Sequence, residues 1–244
     1  MSTAANASGS AIGRLLSSTI GLKVLMAVTG FIWVGFVLGH MVGNLQILLP
    51  MPADGPHAIN KYAAALKATG GVLWVVRFGL LAAFAAHVWS AITLSGRNKA
   101  ARATTYAVHT NIQAKPSSYY MLVSGLAILG FIIFHLAHFT LGLVQPEAAG
   151  HYLSNGMHDV YTMFILGFRN PIYAGLYIVS NVLVGLHLQH AVSSMFQTLG
   201  LRTPKYRAYV DFAGPAISAI VIVGNVLMPL SVLLGLIGGS VPGS

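Results

Sequence analysis

Five long apolar runs, broken by short polar punctuation, dominate the chain: roughly 22–48, 71–95, 119–144, 171–198 and 209–238. A hydrocarbon core about 30 Å thick takes about 20 residues of helix to cross, so each run predicts a transmembrane helix. The separators carry Pro, Gly and charge: LLPMPADGP, SGRNKAARAT and LRTPKYR. The expected fold is all-α, an integral membrane bundle of five transmembrane helices forming one domain over residues 1–244. Two further stretches, HAINKYAAALKA and HDVYTMFILGF, predict short helices lying along the membrane surface.

Composition agrees with the pattern. The chain is 56% hydrophobic and 7% charged, against about a quarter charged in soluble domains. It has no cysteine, which removes disulfides, iron–sulfur ligation and thiol chemistry. A net charge of +9 does not indicate nucleic-acid binding, because the basic residues gather at the ends of apolar runs. Arg14, Lys23, Arg97, Lys99, Arg102, Lys115, Arg202, Lys205 and Arg207 fall on one side; Lys61, Lys67 and Arg169 fall on the other with Asp54, Glu147 and Asp159. The positive-inside rule then places the N-terminus in the cytoplasm and the C-terminus outside; the expected location is the inner (cytoplasmic) membrane, as a multi-pass chain. The polar, small-residue N-terminus lacks the apolar core and cleavage pattern of a secretory signal. No Walker loop, GxGxxG or nucleophile elbow is present.

The candidate chemistry is histidine. Of ten histidines, His57, His151 and His158 fall in outer loops and His109 in an inner one, all expected to be solvated. Six lie inside spans: His40, His87, His135, His138, His187 and His190. Ionisable groups inside a membrane are costly and mark function. Helical rise sets their depth: His40 and His135 fall about 25 and 24 Å from the cytoplasmic end, His87 about 15 Å and His187 about 22 Å by a marker that overstates its depth. Two layers result, an outer pair of His40 with His135 and an inner pair of His87 with His187.

Two bis-histidine layers in a helix bundle suggest two stacked haems, because neutral imidazole ligates haem iron and bundles hold cofactors between facing side chains. Zinc wants three or four ligands at one depth. A proton relay would usually include intramembrane carboxylates, and the first four spans contain none. Gly35, Gly39 and Gly43 form a small-residue ridge beside His40, suited either to close helix packing or to a flat macrocycle. Arg77 lies near the outer layer, either neutralising a haem propionate or snorkelling to the interface. His138 and His190 each share a helix face with another histidine and are candidates for propionate or quinone contacts.

The segments HMVGNLQ (40–46), HVWSAITLSGRNKAAR (87–102), FHLAHFTLG (134–142) and GLHLQHAVSSMFQTLGL (185–201) resemble the dihaem cytochrome b membrane subunit of succinate:quinone oxidoreductases, of the single-subunit, five-helix type that includes fumarate reductases. STIGLKVLMAVTGF (18–31), DVYTMFILGFRNPIYAGLY (159–177) and Pro229 extend the resemblance over nearly the whole chain. It implies axial haem ligands at His40, His87, His135 and His187, with His87 and His187 on a proximal haem b and His40 and His135 on a distal one. It implies a membrane anchor that transfers electrons for a succinate dehydrogenase of the respiratory chain and tricarboxylic acid cycle, with no catalytic succinate site of its own. The implied partners are a flavoprotein subunit, carrying FAD, and an iron–sulfur subunit, both docked on the cytoplasmic face. Membrane quinone, expected to be menaquinone, is the implied substrate. The chain departs from the family at Gly185, where some fumarate reductases carry a glutamate linked to proton movement, and the menaquinol-site glutamate of some members has no counterpart. Two other readings stand beside this one: a haem-free, histidine-gated transporter or channel, and a cytochrome b anchor for a hydrogenase or formate dehydrogenase.

Overall fold

The computed structural model describes residue 13 and residues 17–101, 121–239 and 241. Arg14, Arg102, His109, Lys115 and the first residues of the expected third span lie outside the described residues. The helices are α1 (Thr19–Leu45, prolonged by a 3-10 turn, Gln46–Leu48), α2 (Ala58–Ala68), α3 (Gly71–Ala100), α4 (Met121–His135, prolonged by a π-helical turn, Leu136–Thr140), α5 (Pro146–Ala149), α6 (Val160–Arg169), α7 (Pro171–Thr198) and α8 (Arg207–Leu233). Among the described residues there is no β-strand, only an isolated bridge between Tyr152 and His158. Helices α1, α3, α4, α7 and α8 are each long and apolar enough to cross a membrane. This is the architecture of a multi-pass membrane protein.

Local chemistry sets the helix ends. Ser18 caps α1 by accepting from the Gly21 amide at 2.9 Å. Asn170 caps α7 through the Ile172 amide at 3.0 Å, and Pro171 occupies the first turn, where its missing N–H has no helical partner to lose. Gly70, at φ 56°, separates α2 from α3 in a conformation that a Cβ would strain. The third span ends earlier than its hydropathy suggested, because the chain turns at Gly142 with φ 64°. The fifth also ends early: beyond Leu233 the chain folds back and buries Val241.

Four of the long helices form a ring. α1 packs against α3 and α7, α4 packs against α7, and α3 touches α4 lightly to close the circuit. Neither diagonal pair, α1 with α4 or α3 with α7, makes more than a glancing backbone contact among the described residues. α8 lies outside the ring along α7 and α1. Glycine allows that close approach. Gly185 of α7 faces the Ile222 side chain of α8, Gly214 of α8 faces the Gln189 backbone, and Gly224 of α8 lies under Met41 of α1. The outward faces stay apolar and open, as at Val72, Trp74, Val75 and Phe78 on α3 and Ile220 and Val223 on α8, which suits lipid as solvent.

One end of the ring is plugged. Ile47, Ile59, Phe164, Ile165, Phe168 and Tyr177 belong to a single buried cluster there. α6 therefore corrects the expectation of a surface helix: Tyr161–Ile165, Gly167 and Phe168 are all buried. Its apolar side chains are spent on the buried cluster at this end of the bundle. His57 is a second correction. It is 2% exposed, not solvated; its Nδ1 accepts from the Ile59 amide at 3.3 Å, so Nε2–H donates to the Leu49 carbonyl at 2.9 Å. Asn60 joins α2 to α6, donating to Asp159 at 2.9 Å and accepting from the Tyr161 amide at 2.8 Å.

Candidate functional site

The histidines meet across the diagonals of the ring. His40 on α1 and His135 on α4 have ring centroids 5.9 Å apart, edge to face. His87 on α3 and His187 on α7 lie close enough to interact electrostatically. These are the two pairs expected from depth, and each joins helices whose backbones make no more than a glancing contact among the described residues. Among the described residues no group of three His, Cys, Asp or Glu side chains comes together; the bundle offers pairs.

Each histidine is oriented by a side chain on a neighbouring helix or on its own. Thr29 of α1 gives its hydroxyl proton to the Leu25 carbonyl at 2.8 Å and stands 3.2 Å from Nδ1 of His87. With that proton committed, the His87 Nδ1–H donates and Nε2 keeps its lone pair. Ser124 of α4 repeats the arrangement. It donates to the Met121 carbonyl at 3.1 Å and accepts from His187 Nδ1 at 3.1 Å. A glycine follows each hydroxyl. A Cβ at Gly30 would stand 3.4 Å from His87 Cε1, and one at Gly125 would stand 3.7 Å from His187 Cε1. In the other pair, His135 Nδ1 lies 3.2 Å from the Tyr177 hydroxyl. The Asn44 amide nitrogen, which can only donate, lies 3.0 Å from His40 Nε2. That nitrogen is therefore an acceptor as well.

The remaining candidates separate. His138 is 2% exposed and has both ring nitrogens engaged, by Tyr177 at 3.2 Å and by Gln145 at 3.0 Å. His190 is half-buried and near enough to His187 to interact electrostatically. Arg77 is exposed, with its guanidinium over the Trp74 ring at 5.0 Å, a snorkelling geometry on the outward face of α3. The glycine ridge divides. Gly43 lies beneath the Tyr62 ring, whereas a Cβ at Gly35 or Gly39 would meet nothing within 4 Å. Among the described residues those two glycines therefore do not serve close packing.

The donor set fits haem. The His40 and His135 ring centres, 5.9 Å apart, are close enough for both imidazoles to serve one metal ion at bonds of about 2 Å. Nδ1 of His87, His135 and His187 each has a hydroxyl partner, and donation from Nδ1–H there would leave Nε2 in the state a ligating imidazole needs. His40 keeps open surface. Among the described residues no third ligand joins either pair, whereas zinc takes three or four.

Charge collects at the far end, where α3 and α7 finish and α8 begins. Arg202 grips Asp211 with two hydrogen bonds, 2.9 and 3.0 Å, and Arg207 lies 3.7 Å from the same carboxylate. Arg97 and Lys99 sit in the last turn of α3.

Compared with protein-family models, curated proteins and solved structures, the chain matches none. The functional reading rests on the residues themselves.

Proposed function

We propose that this chain is the membrane anchor and electron-transfer subunit of a succinate:quinone oxidoreductase, holding two b haems. The observation that carries the reading is the pair of histidine diagonals, with a hydroxyl or amide partner at a ring nitrogen of each of the four imidazoles. His87 with His187, and His40 with His135, would each hold one haem. A haem iron with two imidazole ligands supplies a one-electron carrier with no open coordination site.

The protein's own residues do the rest. Thr29, Ser124 and Tyr177 accept from the imidazole Nδ1–H groups, fixing the tautomer and raising the basicity of the coordinating nitrogen. The apolar plug of α6 and the lipid-facing side chains exclude water. Arg97, Lys99, Lys205 and Arg207 form a basic rim for an iron–sulfur subunit that carries electrons from a flavoprotein, with quinone as the membrane partner. That rim also makes its end of the bundle the cytoplasmic one, in the inner membrane.

The deciding experiment is a dithionite-reduced minus air-oxidised spectrum of the purified complex, with haem quantified per chain. Two b haems per chain are expected. A colourless protein would overturn the reading and favour a histidine-gated transporter.

A further inference from the structure

We propose that Gln145 and Tyr177 are positioning residues for His135, acting through a hydrogen-bond chain that starts on the backbone of α6 and decides which nitrogen of His135 can bind metal. The inference rests on the haem reading above and extends it to residues that touch no cofactor.

The chain can be followed proton by proton. The Gln145 amide nitrogen donates to the Leu166 carbonyl at 3.5 Å. This turns its amide oxygen toward His138 Nε2, 3.0 Å away. An amide oxygen can only accept, so Nε2 of His138 carries the proton. In neutral His138, Nδ1 is then bare and accepts from the Tyr177 hydroxyl at 3.2 Å. The Tyr177 oxygen, its proton given away, accepts from His135 Nδ1 at 3.2 Å. His135 is left with Nδ1 protonated and Nε2 open to metal. Reversing any link would place the proton of His135 on the wrong nitrogen.

The surroundings hold the chain in place. His138 sits within the π-helical turn after α4 and stacks on Phe139 at 4.1 Å. Gly167 of α6 makes room for both: a Cβ there would stand 2.9 Å from the Phe139 ring and 3.5 Å from His138 Cε1. Tyr177 is 4% exposed, so no solvent competes for its hydroxyl. The His87 pair has nothing comparable. There a hydroxyl donates straight to a carbonyl of its own helix. The two levels are therefore oriented by different devices, and only one of them reaches the loop region.

The test uses the full complex, with Tyr177→Phe and Gln145→Met as variants and Thr29→Val as a reference for the other level. Haem per chain and both midpoint potentials are measured. An imidazole that loses the acceptor on its Nδ1–H is a weaker donor, and a weaker donor favours the reduced metal. Tyr177→Phe is expected to raise one midpoint and leave the second unmoved. Gln145→Met should move the same midpoint in the same direction by less, and Thr29→Val should move the other one. Because Gln145 lies in a connecting segment, its variant keeps the test open if Tyr177→Phe fails to assemble. Two haems with neither midpoint moved by Tyr177→Phe or Gln145→Met would overturn this inference alone. Absence of haem from the wild-type complex would overturn the haem reading and this inference with it.

Discussion

Thr29 Oγ1 lies 3.2 Å from Nδ1 of His87 although the two are 58 residues apart in sequence. The hydroxyl fixes the imidazole from the neighbouring helix while its own proton is held by Leu25. Thr29→Val keeps the shape and removes the acceptor. Losing such an orienting partner typically costs about 10- to 100-fold in metal affinity. We expect Thr29→Val to purify with less of one haem and a full complement of the other, read from haem per chain. Thr29→Ser should restore the loss. Equal depletion of both haems would refute the pairing.

The two diagonals predict a pattern of non-additivity. His87→Ala and His187→Ala should each remove the same haem, and the double variant should be no worse than either single one. His40→Ala with His135→Ala should behave likewise for the second haem. Residues acting as one unit do not add. Resolved spectra of the four single and two double variants check this. A single variant that removes both haems would mean the levels are not independent.

Asp159 makes a pH prediction. Burial alone would raise its carboxyl, but the hydrogen bonds from Thr162 and Asn60 outweigh burial and hold it below the usual carboxylate range. A depressed carboxylate stabilises the fold fully above its ordinary value, and the contribution is lost as pH falls through the depressed one. Asp159→Ala also leaves Asn60 and Thr162 without an acceptor, at about 1–3 kcal/mol for a buried polar group. The variant should melt below the wild type near neutral pH, and the gap should narrow on acidification. Thermal unfolding in detergent across that range measures it.

Gly185 predicts a steric effect. Its missing side chain is where Ile222 of α8 rests, with the Ser218 carbonyl 3.2 Å from the Cβ position. Gly185→Ala should destabilise the α7–α8 contact by about 1–3 kcal/mol, as overpacking does. Adding Ile222→Ala should recover part of it. Gly185→Glu would also put a carboxylate into that contact, so a proton-carrying glutamate has no room here. The thermal stability of the three variants decides the matter.

Much of this was legible in the chain before any contact was known. Hydropathy located all five long helices, and helical rise, with the His187 depth reduced for a marker beyond the membrane surface, paired His40 with His135 and His87 with His187. The orienting groups were not legible. Thr29, Ser124 and Tyr177 lie 58, 63 and 42 residues from their histidines, and hydroxyls in apolar helices are common. The one faint signal was a hydroxyl followed by glycine, at Thr29–Gly30 and Ser124–Gly125, and it acquires meaning only once the imidazole is seen packing there. The burial of α6 was not legible in HDVYTMFILGF, because nothing in the stretch says which neighbours will cover it. In the fold Asp159 caps the helix, accepting from the Thr162 amide at 3.1 Å, and Arg169 donates to the Gly238 carbonyl at 2.8 Å. Both charges face protein partners. His57 was misread for a similar reason, since a loop address says nothing about a carbonyl that will come to meet it.

Helix α7 carries Tyr177 near one histidine level and His187 at the other, ten residues apart, or about 15 Å of helix. Bilayers differ in thickness, and helices answer by tilting against one another. Two marks on one rod do not separate when the rod leans. The gauge between the levels is thus ruled on a single piece of backbone, and its length along the helix does not change when the bundle tilts.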